Sequence, residues 1–166
     1  VMMNKQGLDK QIVEKLKIRC SKPKLSDWKK VTKLESEQKG ETKIAMVGKY
    51  TELVDSYKSV NEALIHAGIH NKTNVKIEHI DSERFNDKVD NLEANGILIP
   101  GGFGNRGING MLNVAKFARE NNIPYFGICL GMQVAVIEFA RNVLKLDANS
   151  TEFNKTTRHP VIGLIT

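Results

Sequence analysis

The segment Gly127-Ile128-Cys129-Leu130-Gly131 decides the reading of the chain. It follows a short apolar run, Ile123-Pro124-Tyr125-Phe126, and precedes a helical pattern that starts at Met132. Strand, tight turn and helix with a nucleophile at the apex form a nucleophile elbow, here with Cys in the place of Ser. The apex residue of such a turn is forced into a strained conformation, and Cβ atoms two positions to either side would collide. Glycine at 127 and 131 removes those collisions. The Cys129 thiol is then held out of the turn at a helix N-terminus, where unpaired N–H groups and the helix dipole favour the reactive thiolate. A lone cysteine more often packs as a small hydrophobe; the two glycines and the strand-helix context favour the nucleophile.

Working outward, the chain alternates strands and helices. Ile44-Ala45-Met46-Val47, ended by Gly48, reads as a central strand buried on both faces. Asp55-Ser56 caps a helix whose Tyr57, Val60, Leu64 and Ala67 share one face and which Gly68 ends. Val75 to Ile80 is a second strand, and Ser82 to Leu92 a polar helix. Gly96-Ile97-Leu98-Ile99 is a third strand running into Pro100-Gly101-Gly102-Phe103-Gly104. Ile108, Met111, Leu112 and Ala115 mark a helix that ends at Asn121-Asn122. Residues 123–128 are the fourth strand, Gly131 to about Val143 the helix after it, and Val161 to Ile165 a fifth apolar run. This alternation with short connections predicts an α/β fold with a doubly wound parallel sheet and right-handed crossovers. All loops leaving the carboxyl ends of the strands then open on one edge, so the loop 100–104 lies against Cys129.

Composition narrows the class. Of the 166 residues, 40% are hydrophobic and 27% charged, as in an ordinary globular protein. No apolar run has the length of a membrane span, and the N-terminus does not read as a signal peptide. The two cysteines, Cys20 and Cys129, sit in unlike contexts, which argues against a disulfide framework and for a reducing cytoplasm. No His/Cys cluster has zinc-ligand spacing. The net charge of +6 belongs wholly to residues 1–40, which hold 11 Lys/Arg and 5 Asp/Glu; residues 41–166 hold 14 of each. The basic segment reads as a solvated helix and linker rather than a nucleic-acid arm, because its lysines are interleaved with acids and lack an aromatic stacking set. It reads as a helix over Val1 to Leu16, a break at Pro23, and a short helix from Ser26 to about Leu34. The polar stretch Glu35 to Thr42 with Gly40 marks a domain boundary.

The convergence of the elbow and the Gly-Gly loop fits acyl chemistry. A thiolate attacking a carbonyl creates an oxyanion that needs two N–H donors at about 2.7–3.1 Å. Leu130 offers one, and the side-chain-free Gly101-Gly102 loop can bring a second. The loop lacks the Gly-Lys-Ser/Thr ending of a phosphate-binding P-loop.

Three segments, Pro100-Gly-Gly-Phe-Gly-Asn-Arg-Gly107, Ile123-Pro-Tyr-Phe-Gly-Ile-Cys-Leu-Gly-Met-Gln133 and Ala148-Asn-Ser-Thr-Glu-Phe153, closely resemble the glutaminase domain of the CTP synthases. Ile44 to Tyr50 and His159-Pro160-Val161-Ile162 add to the likeness. Pro-Gly-Gly with Gly-x-Cys-Leu-Gly-x-Gln would fit any class I (triad) glutamine amidotransferase; Asn-Ser-Thr-Glu-Phe and Gly-Phe-Gly-x-Arg-Gly narrow it to the CTP synthases. The resemblance implies a flavodoxin-like sheet. It implies that residues 1–40 are the end of the synthetase (amidoligase) domain with the interdomain linker, and that 41–166 are a glutamine amidotransferase type 1 domain whose C-terminal part is missing.

The function so implied is ATP-dependent amination of UTP to CTP, with ammonia released from glutamine through a Cys129 thioester and passed along an internal tunnel. By the resemblance, Cys129 is the nucleophile, and the N–H groups of Gly102 and Leu130 form the oxyanion hole. Gly102, Leu130, Gly131, Met132, Gln133 and Glu152 hold L-glutamine. Glu152 suits the substrate ammonium group and Gln133 a side-chain hydrogen bond. ATP, magnesium and the activator GTP belong to the full enzyme, a cytoplasmic homotetramer, and none is expected on this chain; nor is nucleic acid, a membrane or a metal.

The family completes its triad with a His-x-Glu pair. His66, His70, His79 and His159 all lack a Glu two residues later, and an Arg segment that grips the glutamine carboxylate is missing too. Two other readings stay open: another cysteine hydrolase on a flavodoxin-like fold, and a non-catalytic regulatory module derived from a glutaminase. Without proton transfer by His, which commonly contributes about 10²–10⁴-fold, the 166 residues alone are predicted to release ammonia from glutamine no faster than their Cys129→Ala variant. An ammonia assay showing clear excess over that variant contradicts this.

Overall fold

The computed structural model describes residues 1–50 and 54–163. Their contacts divide into two units, Val1–Gly40 with Ile65–Asn74, and Glu41–Leu64 with Val75–Thr166. The first unit holds α1 (Met2–Lys5), α2 (Leu8–Lys15) and α3 (Ser26–Ser36). The single helix expected over Val1 to Leu16 is two, because Gly7 takes a left-handed φ of 78° between them. Within the same unit Gln38 donates to the Thr73 carbonyl at 2.8 Å, and Lys72 pairs with Glu37 at 3.4 Å.

The second unit is built on a four-stranded sheet in the order β2-β1-β3-β4. These are β1 (Glu41–Gly48), β2 (Asn74–Asp81), β3 (Gly96–Ile99) and β4 (Tyr125–Gly127). β1 runs parallel to β3, with Ala45 opposite Ile97, and β3 parallel to β4, with Ile97 opposite Tyr125. The apolar runs are buried as a two-faced sheet requires: Ala45, Met46, Val47 and Ile99 are wholly inaccessible. α5 (Ile108–Glu120) and α6 (Leu130–Asn142) cover one face, where Met111, Val114, Val134 and Ile137 pack with Val47, Ile97 and Ile99. The other face carries Met46, Tyr57 and Leu98, with Val60 and Leu64 of α4 (Lys58–Asn71) packed on them. Helices on both faces of a parallel sheet make the α/β, flavodoxin-like architecture that the sequence predicts. The chain leaves β1 to one side for β2 and returns to the other for β3, so the switch point lies between the carboxyl ends of β1 and β3.

Two local expectations are corrected. Gly68 does not end α4; it is buried inside the helix, which stops where Lys72 takes a φ of 58° and the Thr73 N–H caps the Gly68 carbonyl at 3.0 Å. Ser82 to Leu92 is not a helix. Only a 3-10 turn, Ser82–Phe85, forms, capped by Asp81 accepting from the Glu83 N–H at 2.8 Å. Tertiary contacts outweigh the weak propensity there. Phe85 is fully buried, and Asn113 of α5 donates to the Phe85 carbonyl at 2.9 Å. The fifth apolar run falls in a separate two-stranded sheet. It forms β6 (His159–Ile162), which pairs in parallel with β5 (Ala148–Ser150), and residues 164–165 lie outside the described residues.

α5 approaches the 82–85 turn so closely that a Cβ on Gly110 would sit 1.8 Å from the Ser82 carbonyl oxygen. Alanine at a helix interior normally gains up to about 1 kcal/mol over glycine. Gly110→Ala is expected instead to lower stability by about 2 kcal/mol through overpacking, read as a lower urea midpoint; an unchanged or raised midpoint contradicts this packing.

Candidate active site

Cys129 occupies the N-cap of α6 with φ 52° and ψ −102°, a backbone conformation that side chains rarely adopt. Its neighbours hold it there. The Ile128 N–H donates to the Ile99 carbonyl at 2.9 Å, the Gly131 N–H to the Ile128 carbonyl at 3.0 Å, and the Gln133 N–H to the Cys129 carbonyl at 3.1 Å. The half-buried Tyr125 donates its hydroxyl to the Gly131 carbonyl at 2.7 Å. Burial, with Glu138 adding to it, pushes the Tyr125 pKa well above the usual tyrosine value, so it remains a donor. Glu138 itself is 3% exposed and takes a two-pronged hydrogen bond from Arg119, at 3.1 and 2.8 Å, which ties α6 to α5.

Both glycines of the elbow are sterically required. A Cβ on Gly127 would lie 2.3 Å from the Gly131 carbonyl carbon, the collision across the turn that the sequence predicts. A Cβ on Gly131 would lie 2.1 Å from the Ile99 carbonyl oxygen. The constraint on the second glycine is therefore the adjacent strand rather than its partner across the turn. Leu130 is 1% exposed with its side chain in the core, so its backbone is what it presents at the elbow. Met132 is exposed on the first turn of α6.

The glycine-rich loop meets the elbow. A Cβ on Gly101 would be 3.7 Å from the Cys129 Cβ, and one on Gly102 would be 3.2 Å from the Leu130 Cδ2. The Gly104 N–H donates to Glu152 Oε1 at 3.1 Å, which carries the loop across to the segment after β5. Glu152 is fixed from below by its own N–H, which donates to the buried Ser150 Oγ at 3.1 Å. Gln133, Ser150, Thr151, Glu152, Lys155, Ile162 and Gly163 line a cavity of about 450 Å³. Gln133 Oε1 is buried with no hydrogen-bond partner among the described residues, so an acceptor is left open at that cavity. The structure thus brings Cys129, Gly102, Leu130 and Gly131 together at the elbow, and Gln133 and Glu152 at the adjoining cavity.

Lys49 was not singled out by the sequence reasoning. Its side chain is 4% exposed at the carboxyl end of β1, and its Nζ donates to the Phe103 carbonyl at 2.9 Å and to the Gly104 carbonyl. Burial lowers its pKa; Glu152 opposes that shift and Arg106 adds to it. Arg106 donates to the Lys49 carbonyl and pairs with Glu83 at 3.2 Å and Asp81 at 3.6 Å. The signal that could have found Lys49 is its place: a cation directly after a buried strand, next to the switch point.

The histidines are placed elsewhere. His79 contacts Asn61 at 3.3 Å and stacks on Tyr57 at 6.1 Å, and His159 Nδ1 lies 3.3 Å from the Asp147 carbonyl. Among the described residues, no histidine hydrogen-bonds Cys129.

A family model described as glutamine amidotransferase class-I matches residues 52–162. Among solved structures, the glutaminase domain of Trypanosoma brucei CTPS (CTP synthase) with bound acivicin is similar at 46% sequence identity and a TM-score of 0.67. The match covers 74% of this chain and 50% of that one, so this chain spans about half the length of its solved relative.

If the Tyr125 hydroxyl supports the elbow, Tyr125→Phe removes its hydrogen bond to the Gly131 carbonyl, at a cost of about 1 kcal/mol. Chemical denaturation is expected to show that loss together with slower alkylation of Cys129 by iodoacetamide. No change in either quantity contradicts the assignment.

Proposed function

The chain belongs to the class-I glutamine amidotransferases, and on that premise we propose that Cys129 is the nucleophile of a glutaminase that feeds ammonia to the amination of UTP to CTP. The observation that carries this reading is the strained, exposed Cys129 at the N-cap of α6, with the Gly101-Gly102 loop beside it. The CTP synthase assignment rests on the likeness to the trypanosome glutaminase domain, whose bound acivicin is a glutamine analogue. It brings with it the expectations of ATP, magnesium, GTP activation, a cytoplasmic location and a homotetramer; no residue of this chain is assigned to any of them.

On this reading the Cys129 thiolate adds to the glutamine side-chain carbonyl, and the charge that develops on its oxygen is met by the N–H groups of Gly102 and Leu130. These donors are backbone groups of a turn and a loop that the packing already fixes, so little reorganisation accompanies the reaction. The carbon–nitrogen bond breaks as the nitrogen gains a proton, ammonia leaves, and a γ-glutamyl thioester remains on Cys129. Water then hydrolyses the thioester, giving glutamate and the free thiol. The proton carrier in the family is the histidine of its His-x-Glu pair, a pattern the 166 residues do not contain. Glu152 takes the substrate ammonium group, and the open acceptor of Gln133 completes recognition of the amino-acid portion. A carboxylate and an amide acceptor at one cavity favour an amino-acid amide over the substrates of other cysteine hydrolases.

The test is glutamine-dependent ammonia release by the full-length protein that carries this chain. Cys129→Ala is expected to abolish it. Glu152→Gln removes a charge-assisted contact worth roughly 1.5–3 kcal/mol, so KM for glutamine is expected to rise about 10- to 100-fold. Ammonia release that survives Cys129→Ala, or a KM unmoved by Glu152→Gln, contradicts the proposal.

A further inference from the structure

We infer that Lys49 is a positioning residue for the oxyanion loop: its buried ammonium group pins the Gly102–Gly104 segment in the register that the reaction at Cys129 requires. The inference rests on the glutaminase reading and deepens it.

The loop has little means of holding itself. Gly101, Gly102 and Gly104 carry no side chains, the Phe103 ring is 80% exposed, and Gly104 sits at a φ of 74°. Without an external anchor its peptide planes are free to rotate. The structure supplies anchors on both sides of one peptide unit. The Phe103 carbonyl accepts from Lys49 Nζ at 2.9 Å, and the Gly104 N–H of the same unit donates to Glu152 Oε1 at 3.1 Å. The plane of that peptide is therefore fixed at both ends. The Gly104 carbonyl also accepts from Lys49 Nζ, so one ammonium group holds two successive carbonyls. Gly102 is closely packed: a Cβ there would meet both Leu130 Cδ2 at 3.2 Å and Lys49 Cδ at 3.6 Å. The lysine stem backs the glycine whose N–H is proposed to meet the oxyanion, and the lysine head clamps the next two residues.

Lys49 is itself held in place. Its N–H donates to the buried Tyr57 hydroxyl at 3.2 Å, and its carbonyl accepts from Arg106 of the same loop. The loop thus grips the backbone of Lys49 through Arg106 while Lys49 grips the loop through Nζ. The charged groups facing the ammonium are Glu152 and Arg106. A shorter or uncharged side chain leaves the Phe103 and Gly104 carbonyls to water, since both residues are exposed. The expected damage is accordingly to the loop's position rather than to the core.

The experiment compares wild type with Lys49→Met in the full-length protein. Glutaminase kcat is divided by the Cys129 thiol content titrated with iodoacetamide, a reagent that needs no oxyanion donor. Losing an oxyanion donor costs on the order of 10²–10³-fold in kcat, so kcat per titrated thiol is expected to fall at least about 30-fold, with KM for glutamine within about threefold. Lys49→Arg, which keeps a cationic donor, is expected to recover part of the loss. A kcat per thiol within about threefold of wild type overturns the inference. So does a loss accounted for wholly by missing thiols, which marks a folding role, or by KM, which marks a substrate-binding role. Ammonia release that persists in a parallel Cys129→Ala variant instead overturns the glutaminase reading itself, and the two failures are told apart.

Discussion

Everything near the site depends on keeping one non-glycine residue, Cys129, at a positive φ. Such a conformation costs of order 1–3 kcal/mol and persists only where the surroundings over-determine it. Here they do so from three directions. Gly127 and Gly131 let the turn close on itself and on β3, the Ile99 carbonyl receives the Ile128 N–H, and the Tyr125 hydroxyl holds the Gly131 carbonyl. These groups belong to β3, β4 and α6, so the elbow is built into the sheet beneath it. The reward for the strain is position: a thiol held clear of its own strand, at the head of a 13-residue helix.

The sheet order explains why the other parts gather there. With β1 flanked by β2 and β3, the chain reverses direction between the carboxyl ends of β1 and β3. Lys49 follows the first of these strands and Pro100-Gly101-Gly102 follows the second, while β4 delivers Cys129 on the far side of β3. Three loops far apart in sequence thus open on one edge, and the Gly104–Glu152 bond joins a fourth segment to them. The charges around this edge are linked: Glu152 and Arg106 both face Lys49, and Arg106 continues to Asp81 and Glu83.

The elbow, the parallel sheet and the meeting of the two glycine-containing loops were legible because each has a local signature: continuous apolar runs, and glycines at fixed spacing about a cysteine. The extent of the helices was less so. Gly68 reads as a stop, yet the helix continues through it, because the end of a helix is set by where its last carbonyls find partners. The stretch after Ser82 has only weak helical propensity and is captured by α5 through Phe85, Asn86 and Asn113, contacts between residues more than 20 positions apart that no local pattern encodes. The reason for Gly131 was likewise half legible: the spacing identifies the glycine, but the strand it would strike is a tertiary neighbour. Lys49 was missed for the same reason. A lysine in a sequence reads as solvent-exposed, and only the fold shows it buried against two carbonyls.

The central claim is that Cys129 is the residue that bonds to the substrate carbon, and the two cysteines provide an internal control because both are exposed. The most direct measurement is peptide mapping by mass spectrometry after the full-length protein is treated with acivicin. The expected result is an adduct on Cys129, none on Cys20, and protection of Cys129 by excess glutamine. Labelling of both cysteines alike, or labelling of Cys129 that glutamine does not slow, would contradict it.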